Sequence, residues 1–144
     1  MAAEKNAPSP MMAQYQSFKE KYPNEIVFFR LGDFYEMFNK DAVEVSRLLN
    51  LTLTHRVDQP MCGIPHHASR VYIARLLRLG KKIVICEPVG DPKAKGLTER
   101  QVTEIITPGT ALESEYLEGN NANYLAALSV TKGMAGFAFI DVTT

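Results

Sequence analysis

The sequence predicts an α+β domain, a mixed sheet with helices packed against it, followed by the truncated start of a second α/β domain. Three observations carry this. A helix-spaced apolar stripe from Ser69 to Gly80 runs straight into the continuous apolar stretch of Lys82 to Glu87, the helix-to-strand succession of a sheet with packed helices. A β-rich run from Ile26 to Leu31 is broken by Gly32 and resumes at Phe34 to Phe38. Acidic and polar composition from Ala111 to Asn121 then separates these elements from a hairpin-like pattern near the end.

Taken in order, Ser9 and Pro10 read as an N-cap and first-turn proline. Met11, Met12, Tyr15 and Phe18 then recur at helical spacing until Pro23. Ile26 to Leu31 is a strand that turns or kinks at Gly32 into Phe34 to Phe38, where a period of two sends Phe34, Glu36 and Phe38 one way and Tyr35 and Met37 the other. Asp41 and Glu44 read as a variant capping box for a second helix with Val45, Leu48 and Leu49 on its buried stripe. Leu51 to Thr54 suits a short strand, and Arg56 to His67 has loop chemistry around Pro60, Gly63 and Pro65. Ser69 opens the third helix, with Tyr72, Ile73, Leu76, Leu77 and Leu79 facing inward and Gly80 as its stop. Lys82 to Glu87 is a buried strand, Pro88 to Gly96 a loop, and Gln101 to Ile106 a further strand before Pro108 and Gly109. Tyr124 to Val130 and Met134 to Asp141 flank a Thr131-Lys132-Gly133 turn. Two strands cannot enclose a core, so the expected organisation is a first domain over 1–112, a linker over 113–122 and an incomplete second domain over 123–144.

At 144 residues and 46% hydrophobic content the chain is long enough for one well-packed domain. Its apolar runs fall short of the roughly 18 to 20 residues of a membrane span, and its start lacks a signal-peptide core. A cytoplasmic protein with no membrane partner is expected. Cys62 and Cys86 are the only cysteines and are expected to be reduced thiols. The formal net charge is zero, but it is unevenly distributed. Residues 1–53 hold six basic and seven acidic side chains, 54–100 nine and four, and 101–144 one and five, giving −1, +5 and −4. The basic middle can present a local positive face to phosphate. Arg56, Arg70, Arg78, Lys81, Lys82, Lys93, Lys95 and Arg100 form the pool for such contacts.

Three catalytic or metal-binding readings fail on pattern. Cys62, His66, His67 and Cys86 match no recurrent zinc-ligand spacing. Asp33, Glu36 and Asp91 would have to form a metal-dependent nuclease centre without a catalytic lysine in register. Residues 90–96 carry Gly and Lys but not the order of a phosphate-cradling loop. No catalytic residue, metal site or cofactor is therefore expected in this chain.

The most informative segment is Arg30 to Phe38. A Phe in a strand ordinarily joins the core. If Phe34 did so, Glu36 on the same face would be buried with it and would need a partner, and an exposed face relieves that conflict. This segment, with Met61-Cys62-Gly63-Ile64-Pro65-His66-His67, Ile85 to Pro92 and Ile106-Thr107-Pro108-Gly109-Thr110, resembles the N-terminal mismatch-recognition domain of the bacterial MutS mismatch-repair family, in order from about Met11 onward. The resemblance implies that Phe34 enters mismatched double-stranded DNA from the minor groove and stacks on a mispaired base while Glu36 hydrogen-bonds that base. Arg100 resembles a family position implicated in DNA contact, and Gly63, Ile64 and Pro65 resemble a loop lying against the minor groove. Arg56, Arg70 and Lys95 join these as candidate backbone or groove contacts. His66 stands where the family often has Tyr, whereas His67 fits the commoner pattern.

The resemblance also implies a connector domain beginning near residue 123 and a full-length DNA-clamping homodimer with a downstream ATPase that uses ATP and Mg. A MutL-type repair partner and a cytoplasmic, nucleoid-associated location in bacteria are implied with it. The rival functions are a structure-selective nucleic-acid-binding domain outside mismatch repair, against which the retention of both Phe34 and Glu36 argues, and the metal-dependent nuclease.

Overall fold

The computed structural model describes residues 7–90, 96, 98–109 and 122–142. A six-stranded sheet is built from β1 (Ile26–Leu31), β2 (Phe34–Phe38), β3 (Thr54–Arg56), β4 (Gln59–Pro65), β5 (Ile83–Pro88) and β6 (Arg100–Ile106) in the order β3-β4-β2-β1-β5-β6. Only β1 and β5 pair in parallel, and the other neighbours are antiparallel. The expected mixed sheet is present. Helices α1 (Pro10–Lys21), α2 (Asn39–Leu49) and α3 (Ser69–Arg78) accompany it, with a 3-10 turn over His66–Ala68 leading into α3.

The strand period of two sorts the core into layers. Ile26, Phe28, Tyr35, Met37, Cys62, Ile64, Ile83 and Ile85 project to one face and pack with Ala42, Val45 and Leu49 of α2 and Ile73, Leu76 and Leu77 of α3. Val27, Phe29, Phe38, Val84 and Cys86 project to the other and pack with Met12 and Tyr15 of α1. Tyr15 fits edge-on against both Phe29 and Phe38, with ring centroids 5.6 and 5.1 Å apart. Both helix faces thus follow from apolar spacing alone.

Four local expectations change. Arg56 to His67 is not a loop: β3 and β4 form a hairpin, tolerated because Pro60 and Pro65 fall near the two ends of β4 and not at its centre. Leu51 to Leu53 do not join a strand; the left-handed Asn50 (φ +56) ends α2, and the strand begins at Thr54. Asp41 does not cap α2, whose N-cap is Phe38, but is buried beneath α1. Leu79 is exposed, because α3 ends at Arg78 and the helical register no longer directs the next side chain. Gly32 is the first residue of a two-residue hairpin loop between Leu31 and Phe34, at φ +55, a conformation glycine adopts without a Cβ penalty.

Cys62 and Cys86 are both buried and free, on opposite faces of the sheet. They therefore cannot converge with His66 and His67 on one metal. Burial pushes the Cys62 thiol up to about 11 and the Cys86 thiol up to about 12, which keeps both neutral and unreactive near neutrality. A disulfide reagent at pH 8 is expected to label the folded protein about a hundredfold more slowly than the urea-unfolded chain; fast labelling of either thiol in the native protein would contradict the burial.

A separate two-stranded sheet pairs β7 (Tyr124–Thr131) with β8 (Met134–Asp141) across Lys132 and Gly133, both at positive φ. Tyr124, Leu128, Val130, Met134, Phe137, Phe139 and Ile140 are all exposed. The expected linker lies outside the described residues, apart from Ala122.

Candidate nucleic-acid interface

Helix α1 does not cover its whole face of the sheet. Beyond Phe29 and Phe38, that face continues into two cross-strand rows, Phe29–Glu36–Gly63 and Leu31–Phe34–Pro65. Phe28, Phe29 and Phe38 are at most 1% exposed, whereas Phe34 is 46% exposed. An aromatic ring in water at the tip of a hairpin, two residues from a carboxylate on the same face, is the arrangement that the alternation of β2 requires when no helix lies above it. Gly63 forms the floor beside the pair: a Cβ there would stand 3.6 Å from Glu36 Cγ and 3.8 Å from Phe34 Cδ1.

The tip is held from below and from both sides. The backbone N–H of His66 donates to the Asp33 carbonyl at 2.8 Å, and Arg30 Nε donates to the Gly32 carbonyl at 2.5 Å. On the opposite sheet face Tyr35 donates its hydroxyl to Glu87, and burial first, then that carboxylate, raise the Tyr35 hydroxyl well above its ordinary value. Arg30 lies 5.6 Å over the Tyr35 ring and 4.0 Å from Glu87, while the His66 ring packs against Tyr35 with centroids 5.3 Å apart. Two of the loop's residues are therefore pinned by their carbonyls, and the side chain next to Phe34 is locked. Sequence reasoning missed Arg30 and Glu87, whose only signal was their place at the ends of two strands that pair in parallel.

Glu36 is not bare. Its Oε2 accepts from Arg56 Nη1 at 2.9 Å, with the Arg56 side chain 48% exposed and the Glu36 side chain 15% exposed. Of the other candidates, Pro65 lies opposite Phe34 in the register, Gly63 lies opposite Glu36, and Arg70 is exposed on the first turn of α3. Ile64 is fully buried with its side chain in the core, so it presents no surface of its own. Arg100 is 9% exposed: Nε donates to the Arg30 carbonyl at 2.7 Å, Nη1 to the Thr98 carbonyl at 2.8 Å, and the guanidinium lies 4.6 Å over Phe29. Burial lowers its pKa. Lys81 is paired with Glu44 at 2.6 Å. Lys93, Lys95 and Asp91 lie outside the described residues. Among the described residues no cluster of three or more His, Cys, Asp or Glu side chains is disposed to hold a metal ion, and no helix is long and apolar enough to cross a membrane.

Fold and site together define a sheet module whose bare corner presents an aromatic ring and a carboxylate paired with a half-exposed guanidinium. Residues 9–115 match the family model for MutS domain I, and the chain belongs to that family. It is 62% identical to the DNA mismatch repair protein MutS of Treponema denticola, 52% identical to that of Syntrophobacter fumaroxidans and 48% identical to that of Borreliella afzelii. These alignments cover 94%, 96% and 98% of the chain but 16% of each relative.

Proposed function

We propose that this module recognises mispaired bases in double-stranded DNA, with Phe34 wedging from the minor groove against one base and Glu36 accepting a hydrogen bond from it. The exposure of Phe34, alone among the phenylalanines of the six-stranded sheet, is the observation that carries the reading. A wedge that unstacks a base step costs a few kcal/mol, and a mismatch has already lost part of the pairing and stacking energy. The kinked complex therefore forms preferentially at the mismatch. Gly63 and Pro65 line the groove side of the wedge, with Ile64 between them anchoring the strand in the core, and Arg56, Arg70 and Lys95 supply phosphate contacts. Arg100 serves as a scaffold residue behind the tip. The exposed β7–β8 hairpin is read as the first part of a connector domain. No catalytic role is assigned to this module; ATP and Mg, clamping as a homodimer and recruitment of a MutL-type partner belong in this reading to the whole protein.

The test is Glu36→Gln in the full-length protein. The amide keeps the size and one acceptor oxygen but removes one negative charge, leaving the Arg56 guanidinium without its counter-charge on the face that meets the phosphates. Homoduplex affinity is expected to rise and the mismatch-to-homoduplex ratio to fall by about fivefold or more, the scale of one charge-assisted hydrogen bond. Titrations in which Glu36→Gln weakens matched and mismatched duplexes equally would reduce Glu36 to a structural strand residue.

A further inference from the structure

Resting on that reading, we infer that Arg56 is a specificity-determining exchange partner: it masks Glu36 in the free protein and on matched DNA, and leaves it for a phosphate only when a mispaired base takes its place.

The two side chains come from different elements. Glu36 sits in the interior of β2 opposite Gly63, whereas Arg56 closes β3 opposite Gln59, two strands away, and its side chain reaches across β4 to the carboxylate. The carboxylate is largely covered and the guanidinium largely open, at 15% and 48% side-chain exposure. Arg56 thus already faces solvent on the side a duplex would approach. An ion pair with one partner that exposed is weakly held, because water competes for the guanidinium and salt screens the attraction. It can be exchanged without disturbing the core.

The turn that follows Arg56 supports a surface-directed role. Val57 is 90% exposed and holds φ +55, a costly backbone for a β-branched residue that makes no core contact in return. The tip of the β3–β4 hairpin is therefore shaped by something other than packing. Like charges or a bare carboxylate facing phosphates would repel any duplex. Masked by Arg56, Glu36 is close to electrically silent toward matched DNA. A base that donates a hydrogen bond to Oε2 competes with Arg56 for the same oxygen, and the released guanidinium acquires a phosphate. Recognition of the base and capture of the backbone become one coupled event.

Salt dependence separates this exchange from a fixed contact, because each phosphate neutralised adds about 0.9 to the slope of log affinity against log salt. In the full-length protein, Arg56→Gln is expected to lower the slope on mismatched duplex by about 0.9 and to leave it unchanged on matched duplex. Arg56→Lys should restore it. Glu36→Gln, which releases Arg56 without a mismatch, should raise the matched-duplex slope by about 0.9. Equal loss on both duplexes with Arg56→Gln makes Arg56 a constant phosphate contact, and no change on either removes it from the interface. Either result, or any other pattern of slopes, overturns the exchange. The wedge itself stands or falls on whether Phe34→Ala retains mismatch preference, so the two failures are distinguishable.

Discussion

Replacing Phe34 by alanine in the full-length protein is expected to bring the ratio of mismatch to homoduplex affinity close to unity while leaving homoduplex affinity within about twofold. The two affinities rest on different physics. Homoduplex binding comes from basic side chains and counterion release, a sequence-independent term that Phe34 does not supply. Mismatch preference requires a group that gains more from an easily opened step than from a stacked one, and an apolar ring inserted between bases is such a group. The ring is 46% exposed, outside both core clusters, and its loop is pinned through Asp33 and Gly32, not through the ring. Truncation should therefore leave the melting temperature almost unchanged. A competition titration of labelled mismatched duplex against matched duplex reads the ratio directly, and an undiminished preference in the variant would reject the wedge. The side chain that positions this tip most closely, Tyr35, is buried on the opposite sheet face, so its loss would confound stability with recognition. Phe34 is the cleaner probe.

The faces of the strands were legible because alternation is a local property. From β2 alone, Tyr35 and Met37 separate from Phe34, Glu36 and Phe38, and the core follows that division. Alternation does not say how far a covering helix extends, which is why Phe38 and Phe34, on one face, end at 1% and 46% exposure. The length of α1 and the position where it crosses the sheet decide that. The β3–β4 hairpin was illegible because Pro60, Gly63 and Pro65 are turn-forming residues locally, and only pairing holds them extended, Pro60 with β3 and Gly63 and Pro65 with β2. The Arg56–Glu36 contact was likewise hidden: both residues were singled out as candidates, but 20 positions separate them and the strand order brings them together only across β4. Arg100 illustrates the reverse. A basic residue in a basic segment reads as a phosphate contact, yet its guanidinium is held by the carbonyls of Arg30 and Thr98.

The largest loss of stability is expected from Asp41→Ala. The Asp41 carboxylate is 4% exposed and ties three elements together. Oδ2 accepts from the Tyr15 hydroxyl at 3.0 Å and from the Val27 backbone N–H at 3.0 Å, and Oδ1 accepts from Lys19 Nζ at 2.9 Å. Tyr15 and Lys19 lie four residues apart on one side of α1, Val27 lies in β1, and Asp41 itself lies in the first turn of α2. Burial first, then the Asp41 charge, raise the Tyr15 hydroxyl well above its ordinary value of 10.0, so it remains a donor throughout the range in which the carboxylate is charged. Alanine would leave a buried hydroxyl and a buried N–H without this acceptor and strip Lys19 of its counter-charge. Losing one partner of a buried charged network costs about 3 to 5 kcal/mol, more than the hydrogen bonds are worth net, because the groups left behind stay desolvated. For a domain of this size that corresponds to a fall in melting temperature on the order of 15 °C. Asparagine retains one acceptor oxygen and the shape, and should lose about half as much. Urea denaturation of the two variants beside the parent chain measures both values. Asp41→Ala costing less than about 1 kcal/mol would mean that water replaces the carboxylate under α1, and that α1 is docked by its apolar contacts through Met11, Met12, Tyr15 and Phe18.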